Sequence, residues 1–343
     1  LCLAQAETRV CGDGGWSESA GLDIQASLAD LDLARLAGYL PEEMEISGRL
    51  RGELTAKGSI ERPEATFSVR PDDGLLRFKQ PEQPLEIAYR NVRLEGRFKD
   101  DVGQLDMRLG LADEGQARGS ISLGAARDGR RALGGQISAD FPDLGLVSGF
   151  VPALEQVSGR LRLESELAGT LDSPRISGRL QVQEASARLP DAGITLSDIG
   201  LDLRGDGDSP IRVEGGMRSG DGRLEFQGEI DARSAGGPGI DLQINGQDFQ
   251  AAKLPEALVD LSPELRLQGT GPYHLSGMLK IPRAKIELRE LPESSVEVSD
   301  DEIIVGDAPP EPAPTHPSGL TAKVRIELGD AVTFEGFGLE TRL

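Results

Sequence analysis

Few residues in this chain have the types and spacing that enzyme chemistry needs. Its two histidines are His274 and His316, and the second lies among prolines, so no histidine pair is expected to share a site. No serine sits in a Gly-x-Ser-x-Gly turn, and no glycine-rich loop has the context of a phosphate-binding motif. We therefore expect a protein that is not an enzyme and that holds neither a metal nor a cofactor.

Cysteine chemistry is confined to one pair near the start of the chain. Cys2 and Cys11 are the only cysteines and are nine positions apart. In an oxidising compartment they can close a small loop as a disulfide. Two alternatives stay open, which are inert thiols and part of a metal site. For a metal site, however, no neighbouring histidine or cysteine completes a tetrahedral set of ligands.

The composition favours many short strands that share a long, shallow interior. Glycine supplies 44 of the 343 residues and aromatic residues only 4%, whereas 38% of the residues are hydrophobic. That hydrophobic share is too high for a disordered chain. The net charge is −21, from 37 basic and 58 acidic residues. Such a charge disfavours binding to nucleic acid or flat docking on anionic lipid headgroups, but it does not exclude acyl chains in an apolar groove.

An internal repeat organises the chain. Two segments align without a gap at a spacing of 111 residues, from Asp32 to Asp143. The first segment contains Asp32-Leu33, Pro41, Ser47-Gly48-Arg49-Leu50 and the signature Gly58-x-Ile60-x-x-Pro63, and the second contains Asp143-Leu144, Pro152, Ser158-Gly159-Arg160-Leu161 and Gly169-x-Leu171-x-x-Pro174. A third, diverged copy is expected to place Gly277, Leu279 and Pro282 on the same signature. Registered repetition of this kind is typical of stacked repeat architectures.

Within each unit, hydrophobic and polar residues alternate with a period of two. The candidate strands are 159–169, 176–182, 194–203, 211–217, 224–230 and 240–244, and Gly or Asp-Gly separates most of them. Strands of this pattern bury one face and leave the other in water. The sequence predicts one apolar groove lined by Leu161, Leu163, Leu167, Leu180, Val182, Ile199, Leu201, Leu203, Ile211, Val213, Leu224, Phe226, Ile240, Leu242 and Ile244.

Each unit also carries a short helix candidate, at 31–40, 144–151 and 251–260. Such a helix either covers the sheet between units or acts as a gate on a groove. We divide the chain into a cysteine-containing segment (1–16), a repeat body (17–298, with repeats at about 31–142, 143–250 and 251–298), an acidic proline-rich flexible loop (299–319) and resumed strands (320–343).

No stretch of the sequence is long and apolar enough to cross a membrane as a helix. The chain begins at Leu1 without Met or a signal peptide and ends in a strand pattern. We therefore expect a fragment of a larger protein whose anchor lies outside these residues.

Several segments resemble the TamB family of the AsmA-like, repeating β-groove superfamily. They are Cys2 with Cys11-Gly-Asp-Gly-Gly-Trp16, Ile281 to Leu288, Val296 to Val305 and Val324 to Leu339. The resemblance implies an all-β protein, in which short antiparallel strands curl into a taco-like hydrophobic groove with a short helix between repeats. It also implies a periplasmic body that is anchored in the inner membrane of a diderm bacterium. In that compartment we expect Cys2 and Cys11 to be disulfide-bonded.

The resemblance further implies transport of phospholipid between the inner and outer membranes and a partnership with an outer-membrane barrel of the TamA type. The family has no catalytic residues to carry over. One alternative is a scaffold that offers sheet edges to strands of outer-membrane proteins by β-augmentation. The other is a closed β-solenoid stalk with a sealed core. A conduit needs a continuous open apolar face, a scaffold needs exposed edges, and a stalk needs neither.

Overall fold

The computed structural model describes the chain except residues 6, 18–20, 42–43, 60, 80–83, 112–114, 152, 233–236, 289–318, 337–338 and 343. Of the described residues, 80% lie in strands and 5% in helices. The strands form one long curled sheet that is not closed into a barrel. This confirms the predicted all-β groove and rules out the closed stalk for this part of the chain.

The described residues contain twenty-two strands. They are β1 Cys2–Gln5, β2 Thr8–Ser17, β3 Gly21–Asp32, β4 Met44–Ser47, β5 Arg49–Ser59, β6 Arg62–Pro71, β7 Gly74–Phe78, β8 Leu85–Lys99, β9 Val102–Leu111, β10 Gln116–Arg127, β11 Arg130–Phe141, β12 Glu155–Thr170, β13 Ser173–Leu189, β14 Ile194–Asp206, β15 Ile211–Ser219, β16 Gly222–Asp231, β17 Gly239–Gln247, β18 Phe249–Lys253, β19 Ala257–Gly269, β20 Tyr273–Leu288, β21 Leu320–Gly336 and β22 Leu339–Arg342. The helical elements are 3-10 helices at Leu33–Tyr39 and Pro190–Ala192 and one short α-helix, α1, at Val147–Phe150.

The strands pair with their neighbours in sequence as an antiparallel meander. Three pairs of strands, β4 with β5, β6 with β7 and β17 with β18, each act as one interrupted strand, because both members pair along the same neighbouring strands. The described sheet therefore has nineteen positions along its length. At about 4.8 Å per strand it extends about 85 Å.

One junction breaks the antiparallel pattern. Strands β20 and β21 are parallel, with Tyr273 opposite Leu320 and Leu288 opposite Gly336. A parallel pair needs a long connection, because the chain must return to the starting end of the first strand. The predicted loop at 299–319 belongs to this connection and, apart from Gly319, lies outside the described residues. Its flexibility therefore stays a prediction.

A line of β-bulges crosses the sheet, and we call it the crease. It passes through six residues that each have a φ of 50° to 52°: Asp30, Asn91, Gln156, Glu184, Asp198 and Asp248. Four of these six are Asp or Asn, the types that tolerate the left-handed region best. Each bulge adds one residue, so the inward alternation resumes three positions later, as from Val182 to Ala185. The bulges thus bend the sheet without turning its apolar side outward.

The strip of sheet beyond the crease, which we call the margin, is the tightly packed part of the molecule. Nine of the twelve buried hydrophobic residues in the described part of the chain lie there. Leu33 in the 3-10 helix and Leu144 just before α1 lie outside the strands, and Val213 lies on the broad side of the sheet. In the margin the Tyr89 hydroxyl donates to the carbonyl of Ser47 at 2.7 Å. Burial, with smaller contributions from Asp72 and Asp73, raises the pKa of Tyr89. The margin is therefore a conventional core, and the broad side of the sheet is not.

The two segments that align at a spacing of 111 residues have matching local structure. Asp32 and Asp143 each accept a hydrogen bond at 3.0 Å from the backbone N–H two residues later. Gly58 lies opposite Pro63, and Gly169 lies opposite Pro174, across equivalent hairpins. Both glycines have positive φ, 102° and 93°, which an L-residue rarely adopts. The signature Gly-x-(Ile/Leu)-x-x-Pro is thus a hairpin turn.

The assignment of the third copy was wrong. Gly277 and Pro282 lie within the single strand β20 instead of facing each other across a turn. The hairpin equivalent to Gly169 begins at Gly269, which lies opposite Tyr273 and also has positive φ. Gly277 instead matches Gly178, because the two have similar φ of 130° and 133° and each lies against the neighbouring strand. The repeat is shorter between the second and third copies, so the short signature was aligned with Gly277 instead of Gly269.

Two of the three helix candidates are confirmed in shorter form. The candidate at 31–40 contains the 3-10 helix, and that at 144–151 contains α1. The candidate at 251–260 was wrong, since these residues belong to β18 and β19, which pair with each other. Pro255 lies between the two strands, and proline disfavours helix both at its own position and at the residue before it.

Candidate functional site

The two faces of the sheet differ in chemistry along its length. Directly opposite residues in neighbouring strands share a face, so the strand register assigns each residue to one side. One continuous row runs Phe141, Leu161, Val182, Leu201, Gly215, Phe226, Ile244, Leu265, Gly277 and Val324. The adjacent row runs Asp140, Arg162, Gln181, Asp202, Glu214, Gln227, Gln243, Arg266, Ser276 and Lys323. We call the first side the inner face and the second the outer face.

The structure brings all fifteen predicted lining residues onto the inner face. Leu163, Leu180, Leu203 and Val213 form one row that continues to Leu242. The others complete the rows on either side: Leu161, Val182, Leu201, Phe226 and Ile244 lie together, Ile211 and Ile240 flank Ile230, Leu167 faces Ile176, Leu224 faces Met217, and Ile199 lies beside the crease. The period-two pattern alone was enough to place them.

The exposure of these side chains shows that the described residues do not fill the groove. Fourteen of the fifteen predicted residues are half-buried, and only Val213 is buried, at 4% exposure. Outer-face neighbours such as Arg162, Glu164 and Arg204 are exposed. In a sealed sandwich, these leucines and isoleucines would pack against a second layer. Here they line the inner face of the curled sheet, which remains partly accessible to solvent.

Sequence reasoning restricted the groove to residues 161–244, but the inner face extends well beyond them. Leu54, Phe67, Leu105 and Ile121 occupy it before the predicted segment, and Leu265, Leu267, Leu275 and Leu279 occupy it afterwards. The same alternation is present in those strands and would have identified them. Toward the ends of the sheet the inner face becomes more exposed, with Leu54 at 42% and Ile326 at 62%.

Ion pairs across neighbouring strands cover the outer face. Asp202 accepts from Arg179 Nε at 3.0 Å and from Arg204 Nε at 2.9 Å. The hydrogen bonds from Arg179 and then from Arg204 hold the pKa of Asp202 far below its usual range. Arg266 makes a bidentate pair with Asp241 and lowers the pKa of that carboxyl group. Surface pairs contribute little stability each, but they keep this side of the sheet solvated.

Two hollows in the described part of the chain lie between charged residues of the outer face. One of about 500 Å³ is bounded by Arg108, Arg118 and Glu164, and another of about 330 Å³ by Arg212, Glu229 and Asp241. These are spaces between long charged side chains. Their linings mix charged side chains of both signs, unlike the mainly apolar walls with a few placed polar groups that small-molecule sites usually show. We therefore place the candidate site on the open inner face.

Three further features of the described residues are the cysteine pair, possible metal ligands and possible membrane helices. Cys2 and Cys11 are disulfide-bonded and lie opposite each other between β1 and β2. Among the described residues, no group of three or more His, Cys, Asp or Glu side chains is arranged to hold a metal ion. Within the same residues, no helix is both long and apolar enough to traverse a bilayer.

Comparisons with known proteins match the whole chain to one family. The family model described as "TamB, N-terminal domain" matches residues 1–182. That described as "TamB C-terminal domain" matches residues 212–343. The translocation and assembly module subunit TamB of Haemophilus influenzae is 22% identical over 357 residues, which cover 100% of this chain and 27% of that relative. The chain thus spans about a quarter of the relative's length. No solved structure matches the chain.

Proposed function

Since this chain belongs to the TamB family, we propose that it forms one section of a periplasmic conduit for phospholipids. In this proposal the groove carries acyl chains between the inner and outer membranes of a diderm bacterium. Its attachment to the inner membrane and to an outer-membrane barrel of the TamA type belongs to the same proposal. The observation that carries it is the continuous, half-buried apolar inner face of a sheet that stays open.

The energetics of such a surface favour an apolar occupant. Each square ångström of apolar surface removed from water contributes about 25 cal/mol, so an acyl chain gains about 0.8 kcal/mol for each methylene that it buries. Contiguous apolar patches of more than a few hundred Å² are rare on soluble proteins unless they bind something. An open groove also lets a charged headgroup remain in water while its chains lie against the leucine and isoleucine rows.

The outer face supports the same assignment from the opposite side. Its arginines and carboxylates alternate across strands and pair with one another, as in Arg162 with Asp140 at 3.4 Å. The net charge of −21 opposes adsorption of this face to anionic membrane surfaces. Lipid is therefore directed to the groove and not to the outside of the sheet.

Site-specific photocrosslinking tests the proposal. A photoreactive residue at Leu201 or Ile244 on the inner face should capture phospholipid in the cell envelope. The same residue at Arg162 or Glu225 on the outer face should not, although Glu225 lies on the strand next to that of Ile244 and Arg162 lies two strands from Leu201. Equal capture from both faces would refute the groove assignment, because lipid would then bind without regard to the side of the sheet.

A scaffold for the assembly of outer-membrane proteins is the second candidate function. Two observations support it. The relative's name includes an assembly module. Residues Leu320–Val332 of β21 pair with β20 along one edge, and no described strand pairs with them along the other edge. A free strand edge can accept a further strand by β-augmentation. A photoreactive residue at Arg325 should then capture outer-membrane barrel strands, while Leu201 captures no lipid. Lipid capture at Leu201 without capture at Arg325 would favour the conduit.

A further inference from the structure

An aromatic ring lies over a glycine of the inner face near the N-terminal end of the groove. Phe67 on β6 lies directly opposite Gly96 on β8, and both belong to the inner face. The ring occupies the place of the missing side chain. A Cβ added to Gly96 would lie 2.5 Å from Cζ and 2.7 Å from Cδ1 of Phe67, and closer still to Cε1. The three atoms nearest to that position all belong to this ring, so the ring fills the space above Gly96.

Other inner-face glycines show that this arrangement is not a general requirement of the strands. A Cβ on Gly52 would meet Ser68 O at 3.5 Å and the Leu28 Cβ at 3.9 Å, both ordinary contacts. A Cβ on Gly103 would likewise meet only atoms at 3.9 Å. Gly52 and Gly103 can therefore accept a methyl group, whereas Gly96 cannot without displacing the ring.

A second pair repeats the arrangement further along the groove. Phe226 on β16 lies opposite Gly215 on β15, and a Cβ on Gly215 would overlap the ring. There, however, the carbonyl oxygen of Gly200 also lies 2.8 Å from that position, so the backbone would resist the change as well. Phe67 and Gly96 are the cleaner pair, because the three nearest atoms there all belong to a side chain.

We propose that the Phe67–Gly96 pair sets the clearance of the groove for acyl chains at this strand. This role rests on the proposed conduit function, in which acyl chains pass Phe67 and Gly96 on their way along the groove. With glycine at position 96, the Phe67 ring occupies the space of the missing side chain and projects less far into the groove. Nonbonded carbon atoms need about 3.5–4.0 Å, so a methyl group at 96 moves the ring by more than about 1 Å. Phe67 is 37% exposed on the groove side, so the ring moves into the space that an acyl chain would use.

The experiment uses the full chain with a photoreactive residue at Leu54, which lies opposite Phe67 on the inner face. Vesicles of phosphatidylethanolamine and phosphatidylglycerol supply the lipid, and a second probe at Leu201 serves as the distant reference. We expect Gly96→Ala to lower capture at Leu54 by about fivefold or more, the change that an overpacking cost of about 1 kcal/mol produces. Gly52→Ala, close to the probe on the same strand, should leave capture unchanged. Capture at Leu201 should stay the same in both variants.

A compensating variant separates clearance from any other role of the glycine. In Phe67→Ala combined with Gly96→Ala there is no ring to lift, so capture at Leu54 should return to the original level. Persistent loss in the double variant would overturn the inference, as would equal capture in Gly96→Ala and Gly52→Ala. Absence of lipid at Leu201 in every variant would instead refute the conduit itself, and the clearance role with it.

Melting temperatures report whether the variants fold. The displaced ring enters open space, so Gly96→Ala should melt within a few degrees of the original chain. Should it unfold, Phe67→Trp provides the same test without changing the backbone, because a larger ring over Gly96 also raises the floor. Lower capture at Leu54 but not at Leu201 in Phe67→Trp supports the inference, and unchanged capture at both positions overturns it.

Discussion

The connection between β20 and β21 allows a length test of their parallel pairing. Residues 289–319, 31 in number, join Leu288 at the end of β20 to Leu320, which lies opposite Tyr273 at its start. The chain must therefore return along fifteen residues of strand, about 50 Å at 3.3 Å per residue. An extended chain reaches about 3.3–3.6 Å per residue. The full connection thus has twice the reach that it needs.

Two deletions lie on either side of this limit. Removing Asp307 to Pro317 leaves 20 residues with a reach of about 66–72 Å, so β21 should keep its place and the melting temperature should hardly change. Removing residues 297–317 leaves 10 residues with a reach of about 33–36 Å, which is too short. In that variant β21 must leave β20 or pair with it in the opposite direction.

Cysteine pairs read out which pairing forms. Ser276 and Lys323 lie directly opposite on the outer face, so cysteines there should crosslink on oxidation in the original chain and in the shorter deletion, but not in the longer one. A cysteine pair at Ser276 and Thr333 should crosslink only if β21 reverses. Crosslinking of Ser276 with Lys323 in the longer deletion would refute the parallel topology. Loss of that crosslink in the shorter deletion would show that the connection contributes more than length.

Three further predictions concern stability. Leu201→Asp should cost no more than about 1–2 kcal/mol in urea unfolding, because its carboxylate stays hydrated, whereas Val213→Asp at a buried position should cost several kcal/mol; equal costs would contradict the open groove. Asp202→Asn should cost about 1 kcal/mol at pH 7. Because the folded pKa of Asp202 is lowered, this difference is present above the unfolded pKa of about 4 and should shrink as pH falls below it. A difference that grows toward pH 3 would reverse that sign. Reduction of Cys2–Cys11 should remove at most about 2–3 kcal/mol and should raise hydrogen exchange in β1 and the start of β2; faster exchange throughout the sheet would contradict a local role.

The sequence predicts the faces of the sheet better than its bends. Alternation from Leu161 to Ile244 predicted which residues share one face of the sheet, and a one-residue error would have turned a whole strand over. The crease was missed, although it leaves a signal: apolar residues are three apart at Leu28 and Leu31, with an Asp between them. A bulge is a local exception to alternation. Where the left-handed residue of the bulge is Gln156 or Glu184, its type gives no signal, because these residues are common in regular strands and helices as well.

Long-range features were harder to derive from the sequence. The parallel pairing of β20 and β21 depends on which edge of the sheet the chain returns to, and local patterns do not specify that. The length of the connection was the available signal, because antiparallel neighbours need only short turns. The clearance at Gly96 was also hidden, since a glycine in a strand looks the same whether its empty side holds a ring or water.

The meander has a mechanical consequence. Strands lie across the long axis of the groove, so tension applied between its two ends acts along the interstrand hydrogen bonds. Bonds loaded in this direction open one strand at a time, like a zipper, and do not resist together as they do when strands are pulled past each other lengthwise. Because each strand pairs only with its neighbours, the opening of one strand removes hydrogen bonds only from the strand next to it. A span built this way yields gradually under stretch, and it can close again strand by strand when the load is released.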